Sequence, residues 1–333
     1  MKNELLNLYN KLYFIDNKFH TERFILSNNC NLRCKYCFET VKEHMLLQDD
    51  IIEKRIELLK LRSNDVDEMI VDLFGGEPLL NWNGFTMITE AFKDNKNVNL
   101  STITNGTLLN EERIRYLSEL ERFKLDLSID GNLLSNSYRK DLAGQEVFSI
   151  VLDRILLLKK YDINFLIKMT IGKFNVEHLY DSLNMFKSMG IKNIYMQCID
   201  YPETFRISPE QMEEVINITN KLKDENFDIS INNGFYSKKD EFSNNVRKID
   251  TLKQWNITLP NGTCYSYIQG GAVGVPDYEQ FYVKYENDLS DTNLLDVLDL
   301  NTLQYRKLHD KTEVAFYKNN IIESVKCKCK EEQ

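Results

Sequence analysis

The chain has 333 residues, of which 42% are hydrophobic and 28% are charged, so its composition is that of a globular protein with one large or two modest domains. A formal net charge of -9 without any basic block argues against a nucleic-acid-binding protein. Residues 1–20 have no apolar signal core, and no run approaches the roughly 20 apolar residues that span a bilayer. We therefore expect a cytoplasmic protein without a membrane partner.

The first predicted element is a strand over Arg23–Ser27, and three closely spaced cysteines follow it. Cys30, Cys34 and Cys37 have the spacing C-x3-C-x2-C. Three thiolates can hold three irons of a 4Fe–4S cluster and leave the fourth iron open to a small molecule, whereas most clusters take four cysteines. A zinc knuckle and three unrelated thiols are the alternatives, but zinc sites favour cysteine pairs with a second pair in reach.

Further strands and amphipathic helices alternate along the chain. The predicted strands are Met69–Phe74, Val98–Thr104, Phe123–Ile129, Asn164–Thr170 and Asn193–Cys198. The predicted helices are Ile51–Leu61, Glu111–Glu121, Phe148–Tyr161, Val176–Met189 and a segment that begins at Ser208-Pro209 and ends near Glu225. Six strand–helix units in series predict an α/β fold with a parallel sheet, and six units are fewer than a closed eightfold barrel needs. We therefore predict an open (βα)6 partial barrel.

Glycine and polar residues follow the predicted strands, at the edge of the sheet where ligand sites lie in such folds. Gly75-Gly76-Glu77-Pro78 follows the second strand, and its glycines would allow close approach of a ligand to the backbone. A strand-to-loop turn without a ligand is the alternative. Cys198 ends the sixth strand, where we favour a buried apolar role over that of a hydrogen-atom donor or extra ligand.

Together these motifs resemble the radical SAM superfamily over about residues 23–196, including the aromatic Tyr36 just before the third cysteine. The resemblance implies that Cys30, Cys34 and Cys37 hold a 4Fe–4S cluster whose open iron binds the amino and carboxylate groups of S-adenosylmethionine (SAM). In that family an electron from the cluster breaks the C5′–S bond of SAM, and the 5′-deoxyadenosyl radical takes a hydrogen atom from the substrate.

The resemblance also implies a set of cofactor contacts at the strand ends. Arg139 matches an arginine that pairs with the SAM carboxylate in the peptide-modifying branch, and a guanidinium suits a carboxylate. A solvated surface arginine is the alternative. The other predicted cofactor-binding residues are Gly75, Gly76, Glu77, Pro78, Thr104, Asn105, Ser128, Asp130 and Gln197.

The C-terminal part resembles the auxiliary-cluster module of SPASM and twitch radical SAM enzymes more faintly. Lys284 stands about where that module has its second cysteine, and lysine does not bind clusters. Cys264, Cys327 and Cys329 are therefore expected to hold at most one auxiliary cluster, and a degenerate module without a cluster is the alternative. The predicted domains are an N-terminal extension (1–20), the barrel (21–226) and a SPASM/twitch-like module (227–333).

SPASM and twitch enzymes mostly modify peptides or proteins, so the resemblance implies maturation of a ribosomally synthesised precursor peptide by a crosslink, thioether or epimerisation. Its partners would be that peptide and an electron donor such as flavodoxin or ferredoxin. Since only some 20 residues precede the first strand, either a separate leader-binding protein or the barrel mouth itself would recruit the peptide. A radical SAM enzyme for a small molecule or for sulfatase-type protein maturation is one alternative. A non-catalytic iron–sulfur electron carrier or binding module is another.

Overall fold

The computed structural model describes residues 19–37, 39, 42, 44–64, 66–199, 203–232, 255–258, 260, 264–267 and 283–285. Its strands are β1 (Phe19–Ser27), β2 (Glu68–Gly75), β3 (Val98–Thr104), β4 (Phe123–Ser128), β5 (Phe165–Ile171), β6 (Asn193–Cys198), β7 (Asp228–Asn232), β8 (Trp255–Thr258), β9 (Cys264–Tyr267) and β10 (Val283–Tyr285). Its helices are α1 (Asp49–Arg62), α2 (Trp82–Phe92), α3 (Glu111–Ser118), α4 (Phe148–Lys160), α5 (Leu179–Ser188) and α6 (Pro209–Leu222).

The described strands form one sheet in the order β10-β9-β8-β1-β2-β3-β4-β5-β6-β7. β1 to β7 are parallel neighbours in chain order, each joined to the next by one α-helix. This arrangement confirms the predicted α/β fold of six strand–helix units, and β7 adds a seventh parallel strand. Because consecutive parallel strands lie side by side, the loops after them meet at one edge of the sheet.

The two faces of the sheet differ in polarity, as alternating strand patterns require. In β6, Ile194, Met196 and Cys198 are buried in the hydrophobic core, whereas Tyr195 and Gln197 are partly exposed. The opposite face carries ion pairs between neighbouring strands. There the Nε of Arg23 lies 2.7 Å from Asp72 Oδ2, and the Nζ of Lys168 lies 3.5 Å from Asp126 Oδ2.

Three of the six described α-helices begin at a residue whose side chain caps the helix, namely Asn81, Asn110 and Ser208. The hydroxyl of Ser208 accepts from the backbone N–H of Gln211, whose side chain accepts from the N–H of Ser208, and Pro209 occupies the first turn. α2 was not among the predicted helices, although Asn81 caps it by accepting from Gly84 N. None of the described helices is both long and apolar enough to cross a membrane.

The C-terminal strands join the same sheet. β8 pairs in parallel with β1, and β9 and β10 continue from it as antiparallel strands. The predicted boundaries at residues 20 and 226, and the SPASM/twitch-like module itself, stay predictions.

Candidate cofactor site

The three-cysteine loop follows β1 and is fixed by a segment that is distant in sequence. The N–H of Arg33 donates to Lys140 O at 2.7 Å, and the N–H of Lys35 donates to Tyr138 O at 3.1 Å. Within the loop, Cys37 N donates to Cys34 O at 3.1 Å. The cysteine loop therefore has a defined backbone path, which it owes to the residues after β4.

The cysteine side chains lie in a partly dehydrated environment. Burial raises the pKa of the Cys30 thiol to about 11, and the nearby Glu77 carboxylate adds to this rise. Burial also raises the pKa of the Cys34 thiol, an effect that Arg139 opposes. Because iron binds thiolates, cluster binding must release these protons.

Among the described residues, no three His, Cys, Asp or Glu side chains converge so that they could hold a single metal ion. A cluster has a different requirement. In a 4Fe–4S cluster each thiolate binds a different iron, so the three cysteines need not converge on one point.

The glycine motif after β2 packs directly on the cysteine loop. Gly76 N donates to Ser27 O, and Glu77 N donates to Asn29 O, both at 2.9 Å. A Cβ on Gly75 would lie 2.4 Å from Ser27 O, and one on Gly76 would lie 2.5 Å from Asn29 O. The two motifs can touch only because both positions lack a side chain.

The buried carboxylate of Glu77 links the loops after β2 and β3 by hydrogen bonds. Glu77 is fully buried, and its carboxylate accepts from Leu79 N at 3.1 Å, Thr104 Oγ1 at 2.7 Å and Asn105 N at 2.8 Å. Burial raises the pKa of Glu77, and these three hydrogen bonds oppose the rise. Asn105 in turn donates to Asn31 Oδ1 at 2.9 Å. The structure thus joins the ends of β2 and β3 to the cysteine loop, and the direct cofactor contacts of these residues stay predictions.

Tyr36, Asp130 and Arg139 form a buried polar cluster beside the cysteines. The Tyr36 hydroxyl donates to Asp130 Oδ2, and Arg139 Nη1 donates to the Tyr36 oxygen at 2.8 Å. The other carboxylate oxygen, Asp130 Oδ1, accepts from Thr170 N at 3.0 Å and lies 3.8 Å from Arg139 Nη1. Burial raises the pKa of Asp130, and the Arg139 guanidinium opposes this. Arg139 is only 6% exposed, so it is not a solvated surface arginine.

Aromatic rings cover one side of this cluster. Tyr36 stacks on Phe174 with centroids 5.2 Å apart, and Tyr138 stacks on the same ring at 4.5 Å. Phe205 meets Tyr138 edge-on at 5.9 Å. These rings contribute apolar surface next to the buried charges.

Four buried polar atoms around these loops have no hydrogen-bond partner among the residues that the structure describes. Two are acceptors, Asn28 Oδ1 and Asn29 Oδ1, and two are donors, Asn136 Nδ2 and Arg139 Nε. Buried polar groups are normally paired, so these four atoms are available to a ligand or to ordered water. An amino acid group, with its ammonium and carboxylate, offers both kinds of partner. The residues present therefore fit SAM beside a cluster on Cys30, Cys34 and Cys37.

Sequence reasoning missed Lys42. Its Nζ lies 3.4 Å from Cys37 Sγ and 3.1 Å from Glu39 Oε2, and both charged side chains are largely buried. Nothing in the motif spacing identifies such a lysine, because its relevance depends on how the loop folds back on Cys37.

The remaining predicted residues are Gln197, Ser128, Cys198 and the three C-terminal cysteines. Gln197 accepts from the Tyr195 hydroxyl at 3.3 Å, and Ser128 ends β4 in a partly exposed position. Cys198 is 1% exposed in the core, which agrees with its apolar interpretation, and its hydrogen-donor role stays a prediction. Cys264 begins β9, whereas Cys327 and Cys329 lie outside the described residues, so the auxiliary cluster also stays a prediction.

Fold and site together define a partial-barrel protein that is built to hold an iron–sulfur cluster next to a cofactor with an amino acid group. Residues 24–186 match the radical SAM superfamily, and this part of the chain is a radical SAM domain. The cofactors expected from the sequence, a 4Fe–4S cluster and SAM, are those of this family.

Individual proteins extend the comparison. The chain is 32% identical over 189 residues to a cysteine-type anaerobic sulfatase-maturating enzyme of Clostridium perfringens. This match covers 52% of this chain and 50% of that protein. The fold also matches a solved structure of native anSMEcpe with bound AdoMet (SAM) and Cp18Cys peptide. The TM-score is 0.67 at 20% identity, and the match covers 91% of this chain and 86% of that chain. A further match is Streptococcus suis SuiB bound to precursor peptide SuiA, with a TM-score of 0.60 at 15% identity. It covers 89% of this chain and 67% of that chain. The sequence match thus spans half the length of the C. perfringens enzyme.

Proposed function

We propose that this protein is a radical SAM enzyme that modifies a peptide. The observation that carries the proposal is the closure of the cysteine loop against both the Gly75-Gly76 backbone and the Tyr138–Lys140 segment, with unpaired buried donors and acceptors around it. An electron carrier has no need of such a cradle. When bound, the cluster would supply one electron for reductive cleavage of the C5′–S bond of SAM, which makes hydrogen-atom abstraction from the substrate possible.

The protein's own residues bind and orient. Cys30, Cys34 and Cys37 would hold three irons and leave the fourth open to SAM. The Asn28 and Asn29 side-chain oxygens suit the ammonium group of SAM, and Arg139 suits its carboxylate. The stacked rings of Tyr36 and Phe174 lie against this site and help exclude water from it.

The peptide substrate is supported by the relatives. The C. perfringens protein is named a sulfatase-maturating enzyme, and SuiB, which shares the fold, is described with a precursor peptide. We propose a ribosomally synthesised peptide as substrate and a crosslink, thioether or epimerisation as product. Flavodoxin or ferredoxin would deliver the electron in the cytoplasm, and a separate protein would bind the leader.

Sulfatase-type maturation is the second candidate, favoured by the 32% identity to the C. perfringens enzyme. That reaction oxidises a cysteine or serine to formylglycine, and it uses the same SAM site. The two candidates therefore differ in the substrate and in the mass change that it undergoes.

The experiment is anaerobic reconstitution followed by incubation with SAM, dithionite and one of two peptides. One peptide is a candidate precursor, taken from a short reading frame beside the gene, and the other carries a sulfatase-type cysteine motif. We expect 5′-deoxyadenosine in both reactions and a mass change only in the precursor. A change only in the sulfatase peptide would select the second candidate. Absence of 5′-deoxyadenosine from a fully iron-loaded chain would reject radical SAM activity.

A further inference from the structure

Two buried hydrogen-bond donors lie on one short segment after β4. Asn136 belongs to the 3-10 helix Ser135–Tyr138, and Arg139 follows that helix, with Arg139 N donating to Asn136 O at 2.9 Å. Asn136 is 1% exposed and Arg139 is 6% exposed. Within the part of the chain that the structure describes, Asn136 Nδ2 and Arg139 Nε have no acceptor.

The orientation of the Asn136 amide follows from its neighbour. The backbone N–H of Asp130 points to the Asn136 side chain and donates to its Oδ1 at 3.1 Å. Because an N–H requires an acceptor, the oxygen must face Asp130, and the other end of the amide must be the NH2 group. Nδ2 is therefore a donor.

The protein's own carboxylate at this position is already occupied. Asp130 accepts from the Tyr36 hydroxyl and from Thr170 N, and Arg139 uses Nη1 for the same tyrosine. Two donors, one of them charged, thus flank Asp130 without an acceptor. A single group would satisfy both only if it were an anion with more than one oxygen, such as a carboxylate.

We propose that Asn136 is a cofactor-binding residue whose Nδ2 donates to the carboxylate of SAM beside Arg139. Neither the sequence motifs nor the comparisons assign a role to this asparagine. The proposal rests on the proposed function, because SAM is the cofactor of that reaction. It deepens the function by giving the carboxylate a second donor from the same turn as Arg139.

The test uses the full reconstituted chain and two ligands, SAM and its decarboxylated analogue, with dissociation constants from anaerobic equilibrium dialysis. Asn136→Asp keeps an oxygen for the Asp130 N–H but replaces the NH2 donor, and Asn136→Ala removes both. We expect both variants to bind SAM about tenfold more weakly and to bind decarboxylated SAM with less than about a twofold change. Iron content should match that of the unsubstituted protein.

Asn81→Ala is the matched control, because Asn81 is also a buried asparagine but is fully bonded, to Gly84 N and to Leu26 O and Leu47 O. We expect it to lower the melting temperature and leave both dissociation constants unchanged. The proposal is overturned if Asn136→Asp weakens both ligands equally or neither. Failure of the unsubstituted, iron-loaded chain to bind SAM would instead overturn the proposed function. The two failures are distinguishable, because this measurement involves no substitution.

Discussion

At the scale of single residues, Gly76 decides whether the two cofactor loops can touch. A Cβ there would lie 2.5 Å from Asn29 O and 3.3 Å from Cys30 Cβ, so Gly76→Ala must push the loops apart. We expect a loss of about 1–3 kcal/mol in unfolding free energy and less iron after reconstitution, measured by urea unfolding and iron analysis.

Gly144→Ala is the comparison for this prediction. Gly144 has a φ of +77°, and an added Cβ would meet nothing within 4 Å, so the substitution introduces backbone strain of about 1 kcal/mol without a clash. It should keep the full iron content. Equal iron loss in both variants would contradict a steric role for Gly76.

Lys42 is expected to tune the cluster through its contact with Cys37. A cation 3.4 Å from the thiolate sulfur stabilises the more negative, reduced cluster, and hydrogen bonds to sulfur are among the determinants of cluster potential. Lys42→Met should therefore shift the midpoint potential to a more negative value in an EPR-monitored redox titration. Lys42→Arg retains the charge and should stay close to the unsubstituted protein. An unchanged potential in Lys42→Met would refute the prediction.

At the scale of elements, a buried ion pair joins α1, β1 and β8. Glu22 is fully buried, with Arg55 Nε at 2.8 Å and the hydroxyl of Thr258 at 3.0 Å. Burial alone would raise the pKa of Glu22, but the Arg55 guanidinium and hydrogen bonds from His20 and Arg55 lower it to about 2. The pair is therefore ionised at neutral pH, and its stabilisation is lost only as the pH falls from 4.5 toward 2.

Arg55→Met removes the guanidinium and leaves Glu22 buried, so we expect a loss of about 3–5 kcal/mol in unfolding free energy. Without its partner the folded-state pKa of Glu22 rises above its unfolded value. The unfolded chain then ionises first, so the loss grows as the pH rises from the unfolded value of 4.5 to about 7. The double variant Glu22→Gln/Arg55→Met should recover part of the stability and lose this pH dependence. Urea unfolding at the two pH values checks both statements, and a pH-independent loss in Arg55→Met would contradict them.

Local patterns predicted the elements whose signals are local. β6 was predicted with its observed bounds, because apolar and polar residues alternate throughout Asn193–Cys198. The start of α6 followed from Ser208-Pro209 in the same way. α2 was missed because Asn81 and the internal Gly84 read as turn residues, although Asn81 caps the helix. β7 to β10 are short strands, and their place in the sheet depends on pairing with distant strands.

The site shows the same division between local and distant information. The cysteine spacing and Gly75-Gly76 identified the loops, because each motif is continuous in sequence. The contact of Tyr36 with Asp130 spans 94 residues, and that of Tyr36 with Arg139 spans 103. No sequence pattern encodes which polar atoms remain unpaired after such contacts form, so Asn136 emerged only from the structure.

At the scale of the whole molecule, the sheet brings the C-terminal strands toward the cofactor edge. Thr258, at the carboxyl end of β8, is in register with Phe24 of β1 and with Cys264 at the start of β9. Backbone pairing therefore places Cys264 toward the edge from which the cysteine loop continues. This placement favours an auxiliary cluster at the same edge of the sheet as the SAM-binding cluster.

The number of irons per chain tests that arrangement. If Cys264, Cys327 and Cys329 hold a cluster of their own, the reconstituted protein contains about eight irons, and the variant with Cys30, Cys34 and Cys37 all changed to Ala keeps about four. The reciprocal variant, with Cys264, Cys327 and Cys329 changed to Ala, should also keep about four and still form 5′-deoxyadenosine from SAM. If the variant without Cys30, Cys34 and Cys37 contains no iron while the unsubstituted chain contains about four, the C-terminal module is degenerate and holds no cluster. The electron that cleaves SAM would then have to reach its cluster without an auxiliary cluster in this chain.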